Sequence, residues 1–400
     1  MQQIKRIIFS LTLIALTGFA LSATAQTTSV LTAGLEKPNR IITAGDNSLL
    51  VAEGGTTAPN SGRLSLVDRT SGARRTIIDA LPSGVNNLGG APSPSGPSGL
   101  KLHGHTLFLT IGPGDAVQNV GPGLESPNPN PSSPLYDSVL ELNLPGKYEQ
   151  LTSGFTLSLS DQTTLAGGGE VELTNAEGLT LGIRLIADFP NYQPNPRPGF
   201  PNNQRASNIF GVELFQKNLY VVDASFNLIY RVEIADGSFE PFVTFPNRPN
   251  PLFPTMGGPF VEPVPDNIHR VGNQLLVPLL TGFPFVAGLA EVQTVALKGG
   301  DRETLIPNLT SAIDVLHVET DDLSGDRYYA LEFSASMLGI PQNPGVALPG
   351  RLKFFAASDA APLTLVSNLI SPTAMARDEA TGDIFVTEIF TGRIIRVQIL

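Results

Sequence analysis

One hydrophobic phrase recurs six times along the chain. It runs Leu49-Leu50-Val51-Ala52-Glu53, Leu107-Phe108-Leu109-Thr110, Leu219-Tyr220-Val221-Val222-Asp223, Leu275-Leu276-Val277, Tyr328-Tyr329-Ala330-Leu331-Glu332 and Ile384-Phe385-Val386-Thr387-Glu388. After each comes a segment that alternates apolar and polar residues: Gly62–Val67, Ser138–Leu142, Leu228–Ile234, Ala290–Leu297, Gly350–Phe355 and Gly392–Ile399. Alternation with a period of two marks a strand with one buried face. Five of the six then turn tightly, through Thr70-Ser71-Gly72, Pro145-Gly146, Asp236-Gly237, Gly299-Gly300 and Ser358-Asp359, into a further strand. Short strands at this spacing, with no helical periodicity, predict an all-β six-bladed β-propeller of four-stranded blades.

The sixth repeat stops after its third strand. Its outer strand is expected at the other end of the chain, where Thr28–Leu35 resembles the outer strands Arg75–Leu81 and Leu363–Leu369. The N-terminal strand would then join the last blade and close the ring, removing an open sheet edge. In such a blade the loops joining strands one to two and three to four share one face. Those joining two to three, and one blade to the next, share the other. The first set is short, except that extra alternating runs in residues 147–181 (Phe155–Ser160 and Glu170–Leu173) are expected to extend a hairpin of blade two. The long segments rich in Pro and Gly, at 82–98, 112–134, 190–207, 246–265, 281–288 and 334–349, all fall in the second set. Long loops held on a rigid scaffold are where binding sites are usually built.

Residues 1–25 change the picture of location. Lys5 and Arg6 precede an apolar run from Ile7 to Ala20, and Ala23-Thr24-Ala25 fits signal-peptidase cleavage, so the chain is expected to be exported to the periplasm or cell exterior. The run is shorter than the roughly 20 residues of a membrane span. A single domain is expected over residues 26–400. With no cysteine, durability cannot rest on disulfides. The formal charge of −11 becomes −13 once Lys5 and Arg6 leave, and no basic cluster remains, which argues against nucleic acid as a partner. A monomer without a membrane span is expected.

The candidate chemistry lies at the starts of the innermost strands, where a Pro-x step recurs. Aligned on the buried runs, the residues nearest the channel entrance are Asn39, Ser98, Phe210, Asp266, Asp314 and Thr373, with Asn208 and Asn267 close by. Asp266 and Asp314, with Asn39 and Asn208, form an oxygen-rich set suited to calcium or another hard divalent cation. The same residues could instead cap strand starts or hold water. Glu53, Asp223, Glu332 and Glu388 are expected to accept backbone N–H groups of the turns that follow them. His269 and His317 fall in inner strands and are the weak candidates for acid–base chemistry. Loop aromatics, among them Phe283 and Phe285, suggest an aromatic-lined mouth. Sequence motifs for a serine elbow, a metalloprotease or a phosphate loop are absent.

Some phrases are more specific. Val221–Val232 resembles an NHL-type propeller repeat. Pro94–Leu100, Ile111–Asp115, Asn208–Val212 and above all Leu280-Thr281-Gly282-Phe283-Pro284-Phe285 resemble the ScyD/ScyE family, exported bacterial propellers named after gene clusters for an aromatic sunscreen pigment. The insertion at 155–181 and Ile111, in place of an acidic residue, depart from that pattern. The resemblance implies fold and export and carries over no catalytic residue. Three readings stay open: a binding or accessory protein holding a small aromatic compound, peptide or glycan at the long-loop face; a cation-dependent enzyme, either a lactonase-like hydrolase or an oxidative pigment-maturation enzyme; or a protein-interaction scaffold. Asn39, Ser98, Asn208, Phe210, Phe283, Phe285 and Thr373 are the expected ligand contacts.

Overall fold

In a computed structural model, which describes residues 26–88, 92–121, 124–197, 199–200, 203–319, 325–335 and 349–399, each repeat folds into one antiparallel sheet. The proposed signal segment lies outside the described residues, as does most of the 334–349 loop. The buried phrases are the second strands, Ser48–Glu53, Thr106–Ile111, Asn218–Asp223, Gln274–Leu279, Arg327–Glu332 and Ile384–Glu388. Their residues are almost all buried because a neighbouring blade covers each sheet face. Innermost strands run Pro38–Ala44, Pro97–His103, Ile209–Phe215, His269–Val271, Ala312–Val318 and Pro372–Arg377. Each packs against the next around the ring, and the last packs against the first. The result is a six-bladed β-propeller.

Closure takes the expected form. Thr27–Thr32 pairs antiparallel with Arg393–Gln398 of blade six, with Val30 directly opposite Ile395. The apolar side chains divide into six clusters, one at each blade–blade interface. The cluster between blades six and one, for instance, joins Ile41, Leu49 and Val51 to Ala374, Phe385 and Ile394. Truncating one such side chain to alanine costs about 2–5 kcal/mol, since close-packed neighbours cannot fill the gap. A cysteine-free chain therefore spreads its stability over six equivalent layers.

The 147–181 segment departs from expectation. It does not form one extended hairpin of blade two. Phe155–Thr156 lies parallel to the outer strand of blade one, with Phe155 opposite Ile78. Leu159–Ala166 is then a helix, started by a capping box in which Ser158 and Asp161 bond each other's backbone N–H groups. Only Glu170–Thr174 extends blade two, by pairing with Thr180–Asp188. Blades one and two thus become five-stranded, and Pro145-Gly146 opens this excursion instead of a tight hairpin. The alternating pattern of Phe155–Ser160 misleads because a helix start and a short edge strand share it.

The long connections meet on one face and bond one another. Asn60 Nδ2 donates to Ser132 O across blades one and two, a Glu125 carboxylate oxygen accepts from Arg205 N, and Asn227 Nδ2 donates to Glu262.

Candidate functional site

Strand register decides which residues reach the channel. In blades one, two and six a proline opens the inner strand opposite the last residue of strand two: Pro38 with Glu53, Pro97 with Ile111, Pro372 with Glu388. A bulge follows each pair and turns two successive side chains toward the axis. Blade five places Ala312, not a proline, opposite Glu332. Ile313 therefore occupies the slot assigned from sequence to Asp314, and Asp314 sits one step further in. Its repeat equivalent is Arg40 of blade one, which alignment on the buried runs passed over.

The outer of these two positions ties blades together. Thr373 Oγ1 donates to Pro38 O at 2.8 Å, Asn39 Nδ2 to Pro97 O at 2.8 Å, and Ser98 Oγ to Ile209 O at 3.0 Å. Each bond links one blade to the next, through blades six, one, two and three. The inner position varies more. Gly99 and Gly211 have no side chain because a Cβ would lie 2.2 Å from Phe210 O and 2.6 Å from Asp266 O. Blades one and five carry charged residues at this position. Arg40 Nη1 reaches across to Asp314 Oδ2 at 3.2 Å, and His269 Nε2 lies 2.6 Å from Asp314 Oδ1 and 3.2 Å from Arg40 Nη2. Asp314 also accepts from Met375 N and Val315 N. Asn267 Nδ2 donates to Ile313 O and Thr373 O.

Arg40 and Asp314 are buried in the channel, and His269 is partly exposed there. Burial alone would raise the Asp314 carboxyl, but the facing Arg40 guanidinium and His269 hold it below its usual range. Asp266, buried and beside the Asp314 charge, is pushed well above its usual range, and its Oδ2 has no partner. Of the four residues expected as cation ligands, Asp314 faces the Arg40 guanidinium, Asn39 Nδ2 donates to Pro97 O, and Asn39 and Asn208 both border the cleft described below. Among the described residues no three His, Cys, Asp or Glu side chains gather as metal ligands. His317 lies apart, near the short-turn face, 3.1 Å from Asp326 and against the Tyr328 ring.

A cleft of about 350 Å³ opens beside the channel mouth, between blades one, two and three. Asn39, Ser98, Asn208 and Phe210 line it. The remaining wall comes from the small hairpin Gly84–Asn86 with Ser93–Ser95 and from Gln204, Ser207 and Ser225. Sequence reading missed these hairpin residues, because a three-residue strand pair inside a Pro/Gly loop has no periodicity to detect. Amides and hydroxyls make up most of the lining; Leu88, Phe210, Pro94, Pro113 and Ala206 are its apolar contacts, and it has no charged side chain. Thr373, Phe283 and Phe285 lie outside it. Phe283 and Phe285 pack edge to face, with centroids 6.1 Å apart, and Phe283 is half exposed.

Behind the cleft wall, buried carboxyls anchor the loops. Asp223 accepts from Ser207 Oγ at 2.7 Å and from the N–H groups of Asn208, Ser225 and Phe226. Burial pushes it up to about 6 despite those donors. Asp137, pushed well above its usual range by burial and by Asp223, accepts from Ile209 N. Glu53, Glu332 and Glu388 accept from Glu36, Thr310 and Ile370 N–H groups. Those groups precede the inner strand of the same blade, not the following turn as expected; only Asp223 binds both.

No protein-family model and no curated protein sequence matches the chain. Among solved structures it is similar to a gluconolactonase from Xanthomonas campestris, with 11% identity over 96% of this chain and 93% of that one, TM-score 0.47. It is also similar to an auxiliary nutrient binding protein from Bacteroides thetaiotaomicron, with 8% identity over 91% and 69%, TM-score 0.46. A virginiamycin B lyase from Staphylococcus aureus shares 11% identity over 94% and 99%, TM-score 0.41. At such identities the likeness concerns the fold alone. No helix among the described residues is long and apolar enough to cross a membrane.

Proposed function

We propose that this chain, an exported propeller as the ScyD/ScyE resemblance implies, is a binding protein that holds a small hydroxyl-rich ligand, a glycan fragment, in the cleft between blades one, two and three. The observation that carries this reading is the composition of the cleft wall. Amides and hydroxyls offer donors and acceptors to a ligand with many of both, and Phe210 with Leu88 offers an apolar face for the C–H side of a sugar ring. The channel supports binding over cation-dependent catalysis, because the Asp314 carboxylate is already satisfied by Arg40, His269 and two backbone N–H groups. Calorimetric titration of the mature protein with a panel of mono- and disaccharides tests the reading. At least one sugar should bind, and Phe210→Ala and Asn86→Ala should each weaken it roughly tenfold, the loss of one hydrogen bond or ring contact. A panel with no binder, or binding indifferent to both substitutions, overturns it.

A further inference from the structure

Lys37 stands at the rim of that cleft, one residue before the inner strand of blade one. Its ammonium donates to Ser93 Oγ at 2.7 Å, and Ser93 itself lines the cleft. On its other side the ammonium lies 4.6 Å from the centroid of the Phe390 ring. Lys37 has left-handed backbone dihedrals, with φ of 59°. Val264, Ser311 and Ser371, at the same point of blades four, five and six, do the same, so the conformation belongs to the repeat and the lysine to this blade alone.

The charge on Lys37 is the unusual feature. No carboxylate among the described residues pairs with it, although the chain carries 36 acidic against 25 basic side chains. Glu36 and Glu53, its nearest acidic neighbours in chain and fold, are engaged by Arg63 and Arg74 and by backbone N–H. Burial lowers its pKa, with no opposing contribution from a nearby anion. A cation held half-buried by a hydroxyl and a ring face keeps a free donor for an incoming anion. The cleft wall contributes no other charge of either sign.

Resting on the binding role proposed above, we infer that the ligand of this cleft carries a carboxylate, as a uronic-acid sugar does, and that Lys37 receives it while the amides and hydroxyls of the wall hold the ring hydroxyls. Ser93, bonded to the ammonium and lining the cleft, would orient it toward that carboxylate.

The test uses a matched pair of probes, digalacturonic acid and its methyl ester, which share hydroxyls and differ in charge. The mature protein should bind the acid roughly tenfold or more tightly than the ester, with the difference shrinking as salt rises. Lys37→Met should abolish the preference while leaving ester binding in place, and Lys37→Arg should retain it. Thermal unfolding of both variants checks that the fold survives; if Lys37→Met does not fold, loss of preference at high salt together with retention in Lys37→Arg decides. Equal affinity for acid and ester in the unmodified protein overturns this inference alone. So does a preference that survives Lys37→Met. Failure to bind either probe overturns this inference; the cleft reading falls with it only where the sugar panel also yields no binder.

Discussion

Asn39 and Arg40 are consecutive residues of one inner strand, yet they serve regions of opposite character. Asn39 faces the cleft, whose wall is uncharged and open to ligand. Arg40 faces the channel, where it is buried with Asp314 and meets the partly exposed His269. The comparison shows how a propeller separates holding itself together from holding something else. Charges that attract across the axis lock blades one, four and five, and their mutual satisfaction leaves little for a ligand. A neutral wall one residue away keeps its donors and acceptors free. The bulge makes this possible by turning neighbouring side chains toward the same end of the ring.

The sharpest way to break the comparison is to remove the channel carboxylate. Asp314→Ala leaves Arg40 buried without its counter-charge and should cost about 3–5 kcal/mol in chemical denaturation. A double variant Arg40→Met, Asp314→Leu should recover most of that loss. If Asp314→Ala unfolds like the parent protein, the channel cluster is not a structural lock.

A second test contrasts the carboxyls behind the cleft with the one in the channel. Asp223 is pushed up to about 6 by burial, and Asp137 beside it well above its usual range by burial and by the Asp223 charge. The folded state therefore holds these protons more tightly than the unfolded chain does. Stability should decline as pH rises from about 4 to about 6 across that interval. Asp314 has the opposite sign: its depressed pKa contributes stability that is present above about 4 and lost on acidification. Denaturation midpoints measured across this range should show the decline, and Asp223→Asn should flatten it. A flat profile in the parent protein would contradict the burial of those groups.

The smallest effect is expected at the exposed aromatics. Phe283→Ala should change stability by no more than about 0.5 kcal/mol and leave sugar binding in the cleft unchanged, since the ring is half exposed and lies outside the cleft. A loss of binding would move the ligand site toward blade four.

The strand pattern alone carried the architecture. Six buried phrases, their alternating successors and the mismatched chain ends were enough to place Val30 beside Ile395, because hydrophobic periodicity records which faces a strand must hide. Four of the seven expected ligand contacts line the cleft for the same reason: they sit at strand starts, where the repeat defines position. What periodicity does not encode is distance between blades. That the inner-strand position must be glycine at Gly99 and Gly211, where a neighbouring carbonyl leaves no room for a Cβ, is visible only in the assembled ring. The one-residue shift from Asp314 to Ile313 likewise follows from a bulge, and the pairing of Arg40 with a carboxylate 274 residues away follows from the ring closing. Local pattern determined the strands; only the closed ring decided which side chains meet, because those contacts join residues that share no neighbourhood in the chain.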